Sequence, residues 1–421
     1  MQARHKTTPS PCRRPLVTAL ATLVSCGAWA DEPTPWYVGA SQTLTRDSNV
    51  YRIADGPGDT YSSTGLLGGF DQSIGRQHFV ATANLRYNKY QNQSALNNTS
   101  YGLNAGWDWS TINELSGGVN VQANQSLASL NGNSTVPTTG RNILKTEGFA
   151  ANVRWGGSGL LSLQADYAHN RTHYSAPESL SSQTSADSGS AGAFYNVGPT
   201  LRLGTAVRLT RTVSPYGVQT SSGVYESSSS NGRNLDFSAD WRYSAQTGVN
   251  ARLSWTRQSN SGSSGQDFSG LTGGLSATYA PTAKLNFNAG FNRDTNTNAS
   301  LINLGIPQNS TPNTANYQNS RISNSLNLGA SYAATAKISA NAGYTYRRAT
   351  NANTLSAGSN SAGAGDYTDT FRVASLGVSY AIARAWQLSC SLSHETRSTG
   401  STASFDYKAN VAACTATLTL R

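Results

Sequence analysis

Two histidines four residues apart are the first positions in this chain whose types and spacing suggest chemistry. His169 and His173 would share one face of a helix and also share one face of a strand, and the chemistry that two such histidines suggest is metal binding. Neither a cysteine nor a carboxylate cluster accompanies them, so we expect histidines at the rim of a loop. Serines are so abundant that some serine lies near some histidine by chance. Because phosphate-loop, dinucleotide and zinc motifs are also missing from the sequence, it predicts no enzyme, no cofactor and no metal.

Two cysteines near the end of the chain predict a disulfide. Cys390 and Cys414 are equally distant from residue 402, which lies in a polar segment between two strand-like stretches. Antiparallel strands are symmetric about their connection, so these cysteines should face each other. Leu388 shares the parity of Cys390 and Leu418 that of Cys414, which predicts that both thiols lie on the apolar face. We therefore predict a cross-strand disulfide; the alternative is two small apolar residues that happen to be cysteine.

The elements that carry these residues are predicted to be strands, because apolar and polar residues alternate along the chain. In the segment 201–209, LRLGTAVRL, the odd positions are mostly apolar and the even positions hold Arg, Gly, Ala and Arg. Segments 234–243, 285–291 and 338–346 repeat the pattern. A helical period of 3.6 residues would not separate the two kinds of residue in this way.

The connections between the strands also alternate in length. Short ones fall near residues 74–77, 110–113, 156–159, 198–200, 245–248, 281–284, 334–337 and 382–385. Long polar ones fall near 53–60, 92–98, 131–143, 175–187, 214–232, 259–267, 295–319, 350–366 and 398–404. This arrangement is typical of outer-membrane barrels.

We therefore predict an all-β fold, a transmembrane antiparallel up-and-down β-barrel of about eighteen strands with short periplasmic turns and longer outer loops. An even strand number places both termini at the short-turn side, so the first and last strands can pair and close the sheet. Disorder is the rival for a polar, glycine-rich chain, but 20 Tyr, 8 Trp and 10 Phe in a regular pattern argue against it. A soluble propeller or solenoid would not alternate short and long connections so regularly.

The N-terminus has the pattern of a secretory signal. A basic stretch ending at Arg14 precedes an apolar run, and Ala28-Trp29-Ala30 offers a small-x-small cleavage site. We predict a signal peptide at 1–30 and a single barrel domain at 31–421; the alternative is lipoprotein processing at Cys26. The first thirty residues hold four of the ten net positive charges, so the remainder carries no nucleic-acid footprint. The sequence therefore predicts an exported protein of the bacterial outer membrane.

Four similar short turns suggest an aromatic girdle. Tyr279-Ala-Pro-Thr-Ala-Lys resembles Tyr332-Ala-Ala-Thr-Ala-Lys, and turns beginning at Tyr380 and Tyr243 are looser copies. Each places an aromatic ring where a strand leaves the apolar band, as a membrane interface requires. The alternative is an ordinary hairpin with a tyrosine at the strand end.

If the apolar positions face lipid, the opposite positions line a lumen. Candidate lumen-lining arginines are Arg86, Arg154, Arg202, Arg208, Arg242, Arg252 and Arg347. Many asparagines join them, together with Asp108, Asp166, Asp236, Asp240 and Glu395. Such a wall suits hydrated sugars, including acidic ones. Any water-filled barrel has a polar interior with paired Arg and Asp, so the lumen alone does not identify a cargo.

Several stretches resemble one family. Asp47-Ser-Asn-Val-Tyr-Arg52 is similar to the D-x-N-V/L-x-R motif of barrel porins tied to exopolysaccharide operons, and Leu85-Arg-Tyr-Asn-Lys-Tyr90 to their R-Y-x-x-Y segment. The most specific likeness is C-terminal: Trp386-x-Leu-x-Cys390, then Tyr407-x-Ala-Asn410, Cys414 and Leu418-Thr-Leu420. Together they resemble the EpsL-type outer-membrane proteins of exosortase systems. The chain departs from the usual porin pattern by ending in Leu420-Arg421 rather than an aromatic residue.

The resemblance implies a role in exopolysaccharide biosynthesis or export, and we expect passive translocation of polysaccharide through a polar lumen. The alternatives are a general diffusion porin for small solutes and a structural or polysaccharide-binding barrel without an open pore. The expected partners are outer-membrane lipid, a polysaccharide, and the periplasmic machinery for polysaccharide export and for barrel assembly. An arginine-lined path would suit an acidic polysaccharide.

Overall fold

The computed structural model describes residues 34–112, 114–128, 140–156, 159–219, 225–261, 267–295, 320–351, 367–400 and 406–421. The predicted signal peptide at 1–30 lies outside the described residues. Pro35–Arg421 form one compact unit. No helix within the described ranges has the length and apolarity needed to cross a membrane.

Eighteen strands run through the described residues. They are β1 (Trp36–Asp47), β2 (Asp59–Ile74), β3 (Gln77–Tyr90), β4 (Asn98–Ser110), β5 (Leu115–Leu127), β6 (Ile143–Trp155), β7 (Leu161–Tyr174), β8 (Thr184–Val197), β9 (Leu201–Gln219), β10 (Tyr225–Trp241), β11 (Thr247–Ser261), β12 (Phe268–Thr282), β13 (Leu285–Asp294), β14 (Ser320–Ala333), β15 (Ile338–Asn351), β16 (Tyr367–Ala381), β17 (Trp386–Thr399) and β18 (Tyr407–Leu420). Short 3₁₀ turns lie at Ser94–Leu96 and Pro177–Ser182.

The strands form a closed ring. Each strand pairs antiparallel with the next one along the chain, from β1–β2 to β17–β18. The first strand also pairs with the last, from Val38 opposite Leu420 to Asp47 opposite Val411. Closure leaves no strand edge unpaired, which is the condition for a sheet in lipid. The predicted antiparallel up-and-down barrel is confirmed, with eighteen strands.

Short turns all lie at one end of the ring. Residues 75–76 join β2 to β3, and 198–200 join β8 to β9. Gly75 and Gly198 have φ of 61° and 67°, the left-handed region that a side chain disfavours, so glycine permits these tight turns. The long connections lie at the opposite end, called here the loop end.

Apolar side chains cover the outer face of the ring. Leu66, Trp255 and Leu376 are 66%, 62% and 62% exposed, each at a position that alternates with polar inward neighbours. An exposed apolar surface of this extent is a membrane contact rather than a surface for water. At the short-turn end the band finishes in exposed rings, which are those of Trp36, Trp107, Trp155, Tyr195, Trp241, Tyr243, Tyr279, Tyr332, Tyr380 and Trp386.

At the loop end the same outward positions become basic. Eleven exposed side chains follow the apolar residues there, and together we call them the cationic collar. They are Arg46, Lys89, Lys145, Arg171, Arg211, Arg233, Arg257, Arg293, Arg348, Arg372 and Lys408. Among the described outward strand positions, only Glu147 and Asp187 are acidic.

Candidate functional site

The inward face of the barrel is polar and carries most of the predicted arginines. Arg86 lies on β3, Arg154 on β6, Arg202 and Arg208 on β9, Arg252 on β11 and Arg347 on β15, each at a position alternate to exposed apolar residues. Arg242 instead lies one residue beyond β10, exposed in the short turn. Whether these side chains line a conducting path stays a prediction.

A cluster near the short-turn end joins two of these arginines through one amide, and we call it the Gln164 cluster. Arg154 donates from Nε and Nη2 to Oε1 of Gln164 at 3.3 and 3.0 Å, and Arg202 donates to the same oxygen at 3.4 Å. Gln164 in turn donates to Asp166 at 2.7 Å. Since each guanidinium carries five N–H donors, the two arginines together keep several for other acceptors.

The position of Arg202 is fixed from two further sides. Its guanidinium carbon lies 4.0 Å from the ring centroid of Phe194, a cation–π contact between neighbouring strands. The carboxylate of Asp240 lies 4.0 Å from Nη1 on the other neighbouring strand. The contact with the Phe194 ring and the attraction to Asp240 therefore fix the position of the Arg202 guanidinium on the inner wall.

A second cluster on the inner wall takes its side chains from β9, β10, β11 and β13. Arg208 makes a two-pronged contact with Asp236, at 2.8 and 3.2 Å. Arg252 lies 3.6 Å from Asp236 and 3.7 Å from Asp294. The four side chains are nearly buried, so each charge is balanced within the cluster rather than by solvent.

A third cluster lies at the seam where the barrel closes, and we call it the seam cluster. Arg52, in the connection after β1, contacts Asp47 at 2.9 Å and Glu395 of β17 at 3.2 Å. Tyr407 of β18 donates its hydroxyl to Glu395. Burial alone would lower the pKa of Arg52, but Glu395 and Asp47 raise it above its usual value, so the guanidinium stays charged.

Backbone contacts extend this seam. Asn49 donates from its amide to the carbonyl of Lys408 at 3.1 Å, and Ser48 N–H donates to the carbonyl of Asn410 at 2.9 Å. Asn410 N–H donates back to the Ser48 hydroxyl at 2.8 Å. The first long connection is therefore bonded directly to the last strand.

The same connection folds over the inner wall. Tyr51 packs with Tyr90 and Leu96 in a buried cluster, against which Tyr61 is partly buried. Tyr51 donates its hydroxyl to Gln93 at 2.7 Å. Burial, and then the charge of Asp59, raise the pKa of Tyr51, so its phenol stays protonated. Residues 48–58 are thus held against β2 and β3 at the loop end.

The predicted cysteine pair is present. Cys390 and Cys414 are direct partners in the β17–β18 register and are joined as a disulfide. Both lie at outward positions, next to Leu392 and Leu376 on the apolar wall. The predicted cross-strand disulfide on the outward face is confirmed.

The two histidines four residues apart bind separate partners. His169 Nδ1 lies 2.8 Å from Asp187, and His173 Nδ1 lies 3.0 Å from Gln183. No group of three His, Cys, Asp or Glu side chains suited to a metal occurs among the described residues.

Sequence analysis missed the seam cluster, although its residues lie in the stretches that carry the family resemblance. Asp47 is the first and Arg52 the last residue of the N-terminal motif, and Tyr407 and Asn410 lie in the C-terminal one. The available signal was a pair of polar motifs, one near each end of the chain, because closing the barrel brings the first and last strands together.

The fold and the inner wall define a transmembrane β-barrel of the outer-membrane type. No family model matches the chain, and no curated protein sequence matches it. The resemblance to EpsL-type proteins therefore stays a prediction.

Among the solved structures with a similar barrel are three from two bacteria. Pseudomonas aeruginosa OccK1 (OpdK) is 12% identical with a TM-score of 0.46, over 91% of this chain and 99% of that one. Pseudomonas aeruginosa OccK5 (OpdH) is 11% identical with a TM-score of 0.44, over 92% and 98%. Acinetobacter baumannii OccAB4 is 9% identical with a TM-score of 0.43, over 91% and 98%. These identities assign no solute to this chain.

Proposed function

We propose that this protein is a passive outer-membrane channel through which small hydrophilic solutes diffuse. One observation supports this function above the others: a closed ring of eighteen strands is apolar on its outward positions and polar on its inward positions. Barrels of sixteen to eighteen strands leave room for an aqueous channel within the ring. Diffusion needs no catalytic step, only a wet path that binds its cargo weakly.

The inner wall favours solutes that exchange hydrogen bonds readily. Most of its charges are paired with one another, as in Arg208 with Asp236 and Arg397 with Asp369. Paired charges give the wall polarity without a strong field of one sign. In the Gln164 cluster two arginines share one neutral acceptor, and the carboxylate of Asp240 lies only at 4.0 Å from Arg202, so their remaining donors can hold a passing anionic group for a short time.

Polysaccharide export, the function that the family resemblance implies, is the second candidate. Polysaccharide export also needs a polar lumen, and in addition it needs a lumen wide enough for a polymer. The motifs that carry the resemblance contribute Arg52, Asn49 and Tyr407 to the seam, where they serve barrel closure. A motif with that role does not specify a cargo, and this moves the balance toward diffusion of small solutes.

Two measurements test the proposal. The purified protein in planar bilayers should conduct ions, and vesicles containing it should swell in small sugars faster than in large ones. Absence of both conductance and swelling would refute the channel and favour a structural barrel. Deletion of the gene should leave secreted polysaccharide unchanged; its loss, with polymer retained in the periplasm, would favour export.

A further inference from the structure

We propose that the cationic collar binds the phosphate groups of an anionic membrane lipid in the leaflet around the loop end. The inference concerns the outside of the barrel and is independent of which solute passes through it. It rests on the position of the collar, on its excess of positive charge over the two outward acids Glu147 and Asp187, and on a groove in the wall beside it.

The collar lies where lipid headgroups meet the apolar band. On β11, Arg257 follows Leu253 and Trp255 at the same outward parity, and on β10, Arg233 follows Leu235 and Phe237 in the direction of the loop end. Arginine and lysine stems lie along apolar surface while their charged ends reach the interface. The collar charges therefore lie at headgroup depth rather than among the acyl chains.

Two collar arginines face each other directly. Arg233 and Arg257 are register partners in the β10–β11 pair, and both are exposed. Like charges directly opposite on one face of a sheet repel and destabilise the pair. Neither arginine forms an ion pair with any residue that the structure describes. An anion between the two guanidinium groups would remove the repulsion.

The arrangement recurs a few strands further round the ring. Arg293 and Arg348 are the register partners of Asn324 on its two sides. Arg293 donates from Nη1 to the side-chain oxygen Oδ1 of Asn324 at 3.5 Å, so the asparagine separates two cations with a neutral acceptor. Each planar guanidinium group can form two parallel hydrogen bonds with the oxygens of a phosphate.

A groove on the same wall fits the apolar part of the lipid. It has a volume of about 990 Å³ and runs over the outward face of β12 to β18, where it is lined by small side chains such as Ala330 and Ala342 and by the larger ones of Tyr344 and Leu376. Its loop end is formed by Arg46 with His394 and Asn410. An acyl chain in this groove would place its headgroup beside a collar cation.

The test compares lipid surroundings in the full mature chain. The thermal unfolding midpoint, followed by heat-dependent gel mobility, would be measured in phosphatidylcholine vesicles with and without phosphatidylglycerol. We expect phosphatidylglycerol to raise the wild-type midpoint. The double variant Arg233→Gln/Arg257→Gln should lose a large part of that increase. The matched control Lys284→Gln/Lys337→Gln, in short turns at the opposite end, should keep it.

A second measurement separates lipid binding from general damage. In phosphatidylcholine alone the double variant should be at least as stable as the wild type, because the like-charge pair is gone. An equal increase with phosphatidylglycerol in wild type and double variant would overturn the proposal, as would no increase in the wild type. Inorganic phosphate in phosphatidylcholine vesicles should have little effect; if it reproduced the whole increase, the lipid would not be the ligand.

Discussion

Arg52 Nε donates to Glu395 Oε2 at 3.2 Å, and the two residues are 343 positions apart in the chain. The contact links the first long connection to the last hairpin across the closing seam. Arg52 also donates to Asp47, and Tyr407 donates to Glu395, so four side chains from three strands and one loop form one network. The seam is therefore held by side chains as well as by the β1–β18 ladder.

Replacing Arg52 with glutamine should destabilise the barrel. The change leaves the carboxylates of Asp47 and Glu395 in a poorly solvated site without their cation. Breaking a buried ion pair on one side costs about 3 kcal/mol, and we expect the free energy of unfolding to fall by that order. Urea unfolding in neutral detergent measures it.

Arg46→Gln is the matched control for that prediction. Arg46 lies on β1, shortly before Arg52 in the chain, but it points outward, is exposed and donates to Thr60 at 3.1 Å. The Arg46→Gln substitution should lower the free energy of unfolding by less than about 1 kcal/mol. Equal losses in both variants would contradict a special role for Arg52. The double variant Arg52→Gln/Glu395→Gln should be less destabilised than the sum of the two single variants.

The disulfide should stabilise the closing hairpin without being needed for the fold. Cys390 and Cys414 are 24 residues apart, and closing a loop of that length in the unfolded chain contributes about 3 kcal/mol. The variant Cys390→Ala/Cys414→Ala should unfold at lower temperature and keep its conductance. A gel run with and without reductant monitors the bond. A variant that lost conductance while still folded would show that the bond shapes the channel itself.

The Gln164 cluster should set part of the ion preference. Arg154→Gln/Arg202→Gln removes two cations and leaves Asp166 and Asp240 on the wall nearby. The reversal potential in a KCl gradient should then shift toward preference for potassium. Lys337→Gln, in a short turn, should leave it unchanged. If the arginine variant behaved like this control, the cluster would lie off the conducting path.

Two inward aspartates should differ in their effect on stability. Asp236 has an 11% exposed side chain and binds Arg208 by two contacts, whereas Asp240 is 47% exposed and 4.0 Å from Arg202. Asp236→Asn should lower the free energy of unfolding by about 3 kcal/mol and Asp240→Asn by less than about 1 kcal/mol. Urea unfolding of both variants measures these two losses. A larger loss for Asp240→Asn than for Asp236→Asn would contradict the conclusion that Asp236 balances the charge of Arg208 in a buried cluster.

The strands were predictable because period-two alternation directly records which face each residue occupies. LRLGTAVRL at 201–209 identified a strand with Arg202 and Arg208 on the inner face, and both lie there. The Cys390–Cys414 bond followed from symmetry about one connection, since register in a hairpin is fixed by its loop.

The contacts within the barrel were not predictable in the same way. Arg252 reaches Asp294 two strands away, and alternation gives the face of a residue but not how far its side chain extends. The inward path of residues 48–58 was missed because a loop has no period to read. Arg242 was counted as an inner-wall residue, whereas β10 ends one residue before it.

The seam also has a consequence for the order in which the barrel forms. Its bonds join the first part of the barrel to residues synthesised much later, such as Ser48 to Asn410 and Thr43 to Thr415, which are 362 and 372 positions apart. Contacts between segments so distant in sequence form slowly, because the whole intervening chain must first be ordered. Until then β1 and the newest strand both expose unpaired backbone, which lipid cannot solvate. Closure is therefore the committing step of assembly, and a chain that stops short of Tyr407 cannot complete it.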